Sequence, residues 1–214
     1  NMKIGILTFH CAHNYGAVLQ AYALVTYLRK NNYDAEIIDY RPRSLTMSHG
    51  IMPWRRISRL NIIRKVIFVL RILPFLTERK ERSDKFQSFI DSLPLSTRKY
   101  TETDSEVIGY DIIICGSDQV WNTSSYFLNP FMFLQFATNK KKYSYAASFG
   151  SDNYPEWYEN KLKKYLKQYA HISVREEKAI AILKKFGIKS DLHIDPTLLL
   201  TDSEWRSISQ PINE

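Results

Sequence analysis

Apolar and polar positions alternate in blocks along this chain, and the blocks switch between strand and helix periods. Lys3 to Phe9 is a short, β-branched apolar run that ends in the polar cluster His10 to Gly16. Helical spacing follows through Ala17, Leu19 to Ala21 and Leu24 to Leu28. Ala35 to Tyr40 reads as a second strand, stopped by Arg41-Pro42 because the residue before proline is pushed out of helical geometry. The opening is therefore a βαβ unit, which implies a parallel sheet. Arg82 to Leu93 has a helical pattern closed by Pro94, and Tyr110 to Cys115 is a continuous apolar run of the kind a doubly covered parallel strand shows. Lys142 to Ser148 reads as strand, Pro155 to Tyr169 as an amphipathic helix, and His171 to Val174 as strand. A helix then runs to Phe186, where Gly187 supplies a C-cap, and Leu192 to Asp195 is a last strand stopped by Pro196. Alternation of this kind predicts an α/β fold: a Rossmann-like open parallel sheet with helices on both faces.

Charge changes this picture at one place. The 214 residues carry 30 Lys/Arg against 22 Asp/Glu, a net +8, which invites a nucleic-acid reading. Residues 41–82, however, hold eleven Lys/Arg and two acids, Glu78 and Glu81, so the remainder is close to neutral. Within that segment Asn61 to Leu73 has helical spacing that gathers Asn61, Arg64, Lys65 and Arg71 on one stripe and leaves an apolar face wider than a surface helix needs. Two readings fit: an interfacial helix on an anionic membrane surface, engaging residues 54–82, or a core helix whose basic side chains snorkel to water. The stretch is too short to span a bilayer. Trp54 is its lone aromatic residue ahead of Phe68 and Phe75, not the interleaved pattern of a single-strand platform, so no nucleic-acid partner is expected.

Composition excludes disordered and fibrous classes, at 44% hydrophobic and 24% charged. Two cysteines, Cys11 and Cys115, fit a reducing compartment, and Met2 to Ile6 lacks a signal-peptide pattern, so a cytoplasmic location is expected.

In an open α/β sheet, ligands bind beyond the carboxyl ends of the strands. The first strand end offers His10, His13, Asn14, Tyr15 and Gly16; the middle one Ser117, Asp118, Gln119, Trp121 and Asn122; the next Ser148 and Gly150; the one after it Arg175 and Glu176. Asn14-Tyr15-Gly16 is equally readable as a turn with a helix cap. Trp121 reads either as a sugar-stacking ring or as a core anchor. Arg175 beside Glu176 reads as a structural ion pair or as a clamp for phosphate or carboxylate. Cys11, near His10 and His13, is a candidate nucleophile, whereas Cys115 reads as core. Neither a dinucleotide fingerprint nor a Walker loop is present, nor a Cys-x-x-Cys or His-Glu-x-x-His metal pattern, and no metal is expected.

Taken in order, Asn14-Tyr15-Gly16-Ala17-Val18-Leu19-Gln20, Gly116-Ser117-Asp118-Gln119-Val120-Trp121-Asn122, Ser144 to Gly150, Ser173-Val174-Arg175-Glu176 and Asp195-Pro196-Thr197 resemble the polysaccharide pyruvyl transferase family. The resemblance implies a GT-B-like architecture of two Rossmann-like domains around a cleft. It also implies transfer of the enolpyruvyl unit of phosphoenolpyruvate to a sugar of a cell-surface glycan or its lipid-linked precursor, giving a pyruvate ketal. No metal or organic cofactor is implied; phosphoenolpyruvate is a donor substrate. Residues 2–200 are then expected to form the N-terminal domain with 41–82 as a helical insertion, 201–214 to begin the inter-domain linker, and the chain alone to be inactive. The implied chemistry needs a base, an acid for C3 and a cation for phosphate and carboxylate, for which the chain offers Asp118 as base or hydroxyl-orienting group, Arg175 as anion clamp and His13 or His10 as proton carrier. Substrate contacts are implied at His10, Asn14, Tyr15, Gly16, Gln20, Gly116, Ser117, Gln119, Trp121, Asn122, Ser148, Gly150 and Glu176. A lipid-linked acceptor would favour a peripheral position at the inner face of the cell membrane. The competing classes are a nucleotide-sugar glycosyltransferase of the same architecture and a non-catalytic glycan-binding module.

Overall fold

The computed structural model describes residues 2–43, 57, 61–123, 129–151 and 154–209. Trp54, Arg55, Arg56 and Arg59 of the basic segment, and residues 210–214, lie outside the described residues. The chain begins with β1 (Lys3–Leu7), α1 (Tyr15–Lys30) and β2 (Asp34–Tyr40), the βαβ unit expected from the sequence. Asn14 accepts the Ala17 N–H as N-cap of α1. Next come α2 (Ile62–Ile72), a 3-10 turn at Leu73–Phe75, α3 (Leu76–Ser92) and β3 (Leu95–Tyr100). The chain continues through β4 (Ile112–Cys115), β5 (Lys141–Ala147), α4 (Glu159–Leu166), β6 (His171–Val174), α5 (Glu177–Lys185), β7 (Asp191–Leu192) and α6 (Asp202–Ile208).

All seven strands of the described residues pair in parallel, in the order β3-β2-β1-β4-β5-β6-β7. Alternation along the central strands explains the helices on both faces. Leu7, Ile113 and Cys115 join the core beneath α4 and α5, through Leu162, Leu166, Ala179 and Leu183. Ile4, Ile6 and Ile37 join Ala21, Leu24 and Val25 of α1 on the opposite face, and Val18 continues that side onto Phe86 and Ile90 of α3. The chain winds one way from β1 to β3 and the other way from β4 to β7, so the direction reverses between β1 and β4. That is the position at which an open α/β sheet leaves a crevice at its carboxyl edge. Gly116 is required there: a Cβ on it would lie 2.8 Å from Thr8 Cβ, so only glycine lets the two strand ends approach this closely.

Several elements differ from expectation. β3 was not anticipated, because as an edge strand it buries only Ser96 and Tyr100 while Thr97, Arg98 and Lys99 are exposed, which erases any apolar alternation. α3 starts at Leu76, not Arg82: its first turns are solvated Glu, Arg and Lys, good helix formers with no apolar period to announce them. The helix expected over 155–169 is shorter, a 3-10 turn at Glu156–Tyr158 followed by α4. The strand expected over 192–195 pairs only at Asp191–Leu192, since Asp195 turns the chain by capping Thr197. Within 201–214, the segment expected to begin the inter-domain linker, residues 202–208 form α6, opened by a Thr201/Glu204 capping box. It docks on α1 through Trp205 against Tyr22 and a Lys30–Glu204 ion pair at 2.6 Å. Finally, the core-helix reading of 61–73 is overturned: no residue of α2 is buried.

Candidate functional site

Four strand ends bring polar side chains to the carboxyl edge. Beyond β4, Asp118 continues the ladder as an isolated parallel bridge to Ala147, and its carbonyl accepts the Ser148 N–H at 3.0 Å. It does so with φ at +76°, left-handed backbone that aspartate tolerates because its carboxylate bonds locally. Here Oδ1 accepts the Gln119 N–H at 2.8 Å. Burial pushes the Asp118 carboxyl above its ordinary range, against the pull of the Gln119 N–H and the Arg175 charge and with the push of Asp195.

Beyond β6, the Arg175 backbone N–H donates to Ala147 O at 3.2 Å and its Nη1 donates to Asp195 Oδ2 at 2.8 Å. The expected Arg175–Glu176 pairing is loose, at 4.0 Å. Glu176 instead turns to β5, where Oε1 accepts Ser148 Oγ at 2.7 Å and the Phe149 N–H at 3.1 Å. Ser148 Oγ in turn accepts the Gly150 N–H at 2.9 Å. Gly150 has φ of +62°, and a Cβ there would lie 2.5 Å from Gln119 Cδ, so glycine is needed on both counts. Asn122 Nδ2 donates to Gln119 Oε1 at 3.0 Å. Asp195 also accepts the Thr197 N–H and Oγ1 at 3.0 and 2.8 Å and Ser117 Oγ at 3.4 Å. Burial would raise the Asp195 carboxyl, but the Thr197 bonds and Arg175 hold it below its usual range. The structure thus sets side by side a row of two hydrogen-bonded groups, Ser117–Asp195–Arg175 and Gly150–Ser148–Glu176, which adjoin at Arg175 and Glu176 4.0 Å apart, with Asp118 in the field of Arg175 and Asp195. Asp195 and Thr197 complete the row; their signal was the Asp-Pro-Thr sequence, which pairs a capping acid with a fixed turn.

Chemically, the row offers an ionised acid (Asp195) that fixes a guanidinium, and a second acid (Asp118) whose raised affinity for protons suits general acid–base work. Among the described residues only Nη1 of Arg175 makes a close side-chain bond, which leaves its other N–H donors to serve a planar anion in this reading.

The β1 end is arranged differently. Thr8 Oγ1 donates to Ser117 O at 2.8 Å, and Gln20 Nε2 donates to Thr8 Oγ1 at 2.9 Å and to Ala17 O at 2.8 Å. Gln20, a proposed substrate contact, is therefore a buried tie between α1 and the switch point. His10 is corrected likewise. It is fully buried, with Nε2 at 2.9 Å from Asp39 Oδ1 and Nδ1 at 3.3 Å from Thr8 O, so no ring nitrogen is left to carry a proton to substrate. Burial would lift the Asp39 carboxyl, but His10 and Arg41, whose Nε lies 2.6 Å away, hold it below its ordinary value. Removing the imidazole leaves a buried acceptor short of a partner. His10→Ala is expected to cost about 1–3 kcal/mol of stability, read by urea denaturation, with no change in the pH profile of turnover. Asp39 was overlooked, though a charge inside the run Ile37-Ile38-Asp39-Tyr40 was its signal.

Trp121 is corrected too. Its ring is fully buried, parallel to Phe133 at 6.3 Å and packed by Phe149 at 5.4 Å and Tyr169 edge-on at 5.7 Å, so it anchors the core and offers no face to a sugar. Cys11 fails as a nucleophile: burial pushes its thiol up to about 11, leaving little thiolate near neutrality. Asn14 serves as the helix cap, while Tyr15 and Gly16 beside it are exposed. Tyr15 and His13 both pack on Phe86, at 4.7 and 5.4 Å, and Tyr15 also lines a cavity of about 940 Å³ between α1, α3 and α6. Among the described residues no three His, Cys, Asp or Glu side chains gather as a metal site.

The family model described as polysaccharide pyruvyl transferase matches residues 14–213, nearly the whole chain. Neither the curated proteins nor the solved structures return a match.

Proposed function

The chain belongs to the polysaccharide pyruvyl transferase family, and from that premise we propose that its carboxyl edge binds phosphoenolpyruvate and delivers its three-carbon unit to a sugar of a cell-surface polysaccharide or its lipid-linked precursor. The observation that carries the reading is the Asp118, Arg175 and Asp195 cluster at the ends of β4, β6 and β7. The chemistry needs a cation for phosphate and carboxylate, a base for the attacking hydroxyl and a proton for C3. In this reading Arg175, oriented by Asp195, binds the anion. Asp118 takes the proton from the first sugar hydroxyl as its oxygen bonds to C2, and C3 becomes a methyl group by protonation from His13. A second hydroxyl of the same sugar then bonds to C2, the C2–O bond to phosphate breaks, and phosphate leaves with that hydroxyl's proton, closing the ketal. In this reading Gln119 contacts the acceptor, its amide oxygen held by Asn122 Nδ2.

The test is a titration with phosphoenolpyruvate, and with UDP-sugars in parallel, following amide chemical shifts. Shifts at Asp118, Ser148 and Arg175 with phosphoenolpyruvate alone are expected. Shifts there with a UDP-sugar alone would replace the reading with a nucleotide-sugar glycosyltransferase. A second check is the pH profile of turnover. Because the Asp118 pKa is raised and the base must be ionised, activity should fall as pH drops through a value above the usual aspartate range. Asp118→Asn should lose about 100-fold or more in kcat and abolish that limb.

A further inference from the structure

The outward face of α2 is the part of the molecule that least resembles a soluble surface. Ile62, Ile63, Val66, Ile67, Leu70 and Leu73 are between 48% and 79% exposed. At about 100° per residue they fill one continuous arc of roughly 140°. Phe68, Val69 and Ile72, with Lys65 among them, lie on the other side and are half-buried, so the wider apolar side is the one turned to solvent. Arg64 and Arg71 follow directly at one margin of the exposed arc, and both are themselves exposed. A contiguous apolar patch rimmed by basic residues marks an interaction surface.

Its position follows from the topology. β2 ends at the carboxyl edge, and because β3 is parallel to β2, α3 must run from that edge back to the other. His13 and Tyr15, at the start of α1, pack on Phe86, so the part of α3 before Phe86, about 15 Å of helix, reaches beyond the strand ends. α2 is joined to that far end by the turn at Leu73–Phe75.

We propose that α2 is a membrane-surface docking helix, whose exposed apolar face enters the headgroup region of an anionic lipid bilayer while Arg64 and Arg71 bind lipid phosphates. Charge complementarity selects this occupant: the described residues of segment 41–82 carry eight Lys or Arg against two acids, a positive balance that a second copy of the same segment would repel. No described helix is long and apolar enough to cross a membrane, so the contact is interfacial.

Cosedimentation with vesicles of phosphatidylcholine containing phosphatidylglycerol tests this. The protein should pellet at low salt, far less at 0.5 M salt as about one Debye length shrinks below contact range, and not with phosphatidylcholine alone. Arg64→Gln/Arg71→Gln should weaken partitioning about 20-fold, and Ile63→Ser/Leu70→Ser at least about 10-fold. These side chains are exposed, so circular dichroism should confirm unchanged folding. Absence of binding to anionic vesicles, or equal binding by the variants, overturns the proposal. So does a concentration-dependent dimer that Ile63→Ser/Leu70→Ser splits while vesicles have no effect, which would assign the face to a second copy. Failure here leaves the phosphoenolpyruvate titration untouched, because that experiment contains no lipid.

Discussion

In the full-length protein, Arg175→Ala should lower kcat/KM for phosphoenolpyruvate by about 100-fold or more, the range expected when a charged group aimed at developing negative charge is removed, while changing the KM for the acceptor glycan far less. The split follows from the geometry. Arg175 is held by Asp195 at 2.8 Å, with no other close side-chain bond to its fork among the described residues, so its loss removes donor binding more than the scaffold. A second effect comes with it. Asp118 feels Arg175 as a favourable charge and Asp195 as an unfavourable one. Without the guanidinium only the repulsion remains, and the acid limb of the pH profile should move to higher pH. Arg175→Lys restores the charge but not the planar fork, so it should recover the position of that limb better than the affinity for the donor. Equal losses toward donor and acceptor, with an unmoved pH limb, would reduce Arg175 to a structural ion pair.

Trp121→Ala is expected to have the largest effect on stability, about 3–5 kcal/mol, against a total that for natural domains is about 5–15 kcal/mol. The indole is fully buried among Phe133, Phe149 and Tyr169, and it follows the Asp118 turn directly. Truncation leaves a cavity beneath the site as well as losing the transfer free energy of the ring. A lower urea midpoint with an unchanged denaturant slope would report this. Trp121→Phe should retain most of the stability. If instead the alanine variant kept its midpoint and lost acceptor affinity alone, the ring would have to face a sugar, against its burial.

The legibility of this fold in its sequence depended on how many faces each segment buries. β1 and β4, covered on both faces, are continuous apolar runs and were readable as central parallel strands. β3 and the first half of α3 bury almost nothing on one side, so their patterns carry no period. The candidate residues were legible by position, since polar side chains after apolar strands must fall at the carboxyl edge. Their partners were not. Arg175 pairs with Asp195, twenty positions away, in preference to its neighbour Glu176, a choice set by the parallel pairing of β7 beside β6, which brings the segment after β7 next to the end of β6. His10 and Trp121 have residue types that serve sites and cores equally well, and only packing separates the two uses. The direction of the α2 face was also undecidable locally, because amphipathic spacing fixes which residues share a side but not where that side points.

The reach of α3 beyond the strand ends makes it a spoke whose angular phase sets the aim of whatever it carries. Each residue added between Leu76 and Lys85 would rotate α2 by about 100° about the α3 axis and lift it about 1.5 Å. One inserted alanine would swing the apolar arc sideways, whereas four would bring it nearly back into register, about 6 Å further out. The count of residues in that polar, otherwise unremarked stretch is therefore under geometric constraint even where their identities are free.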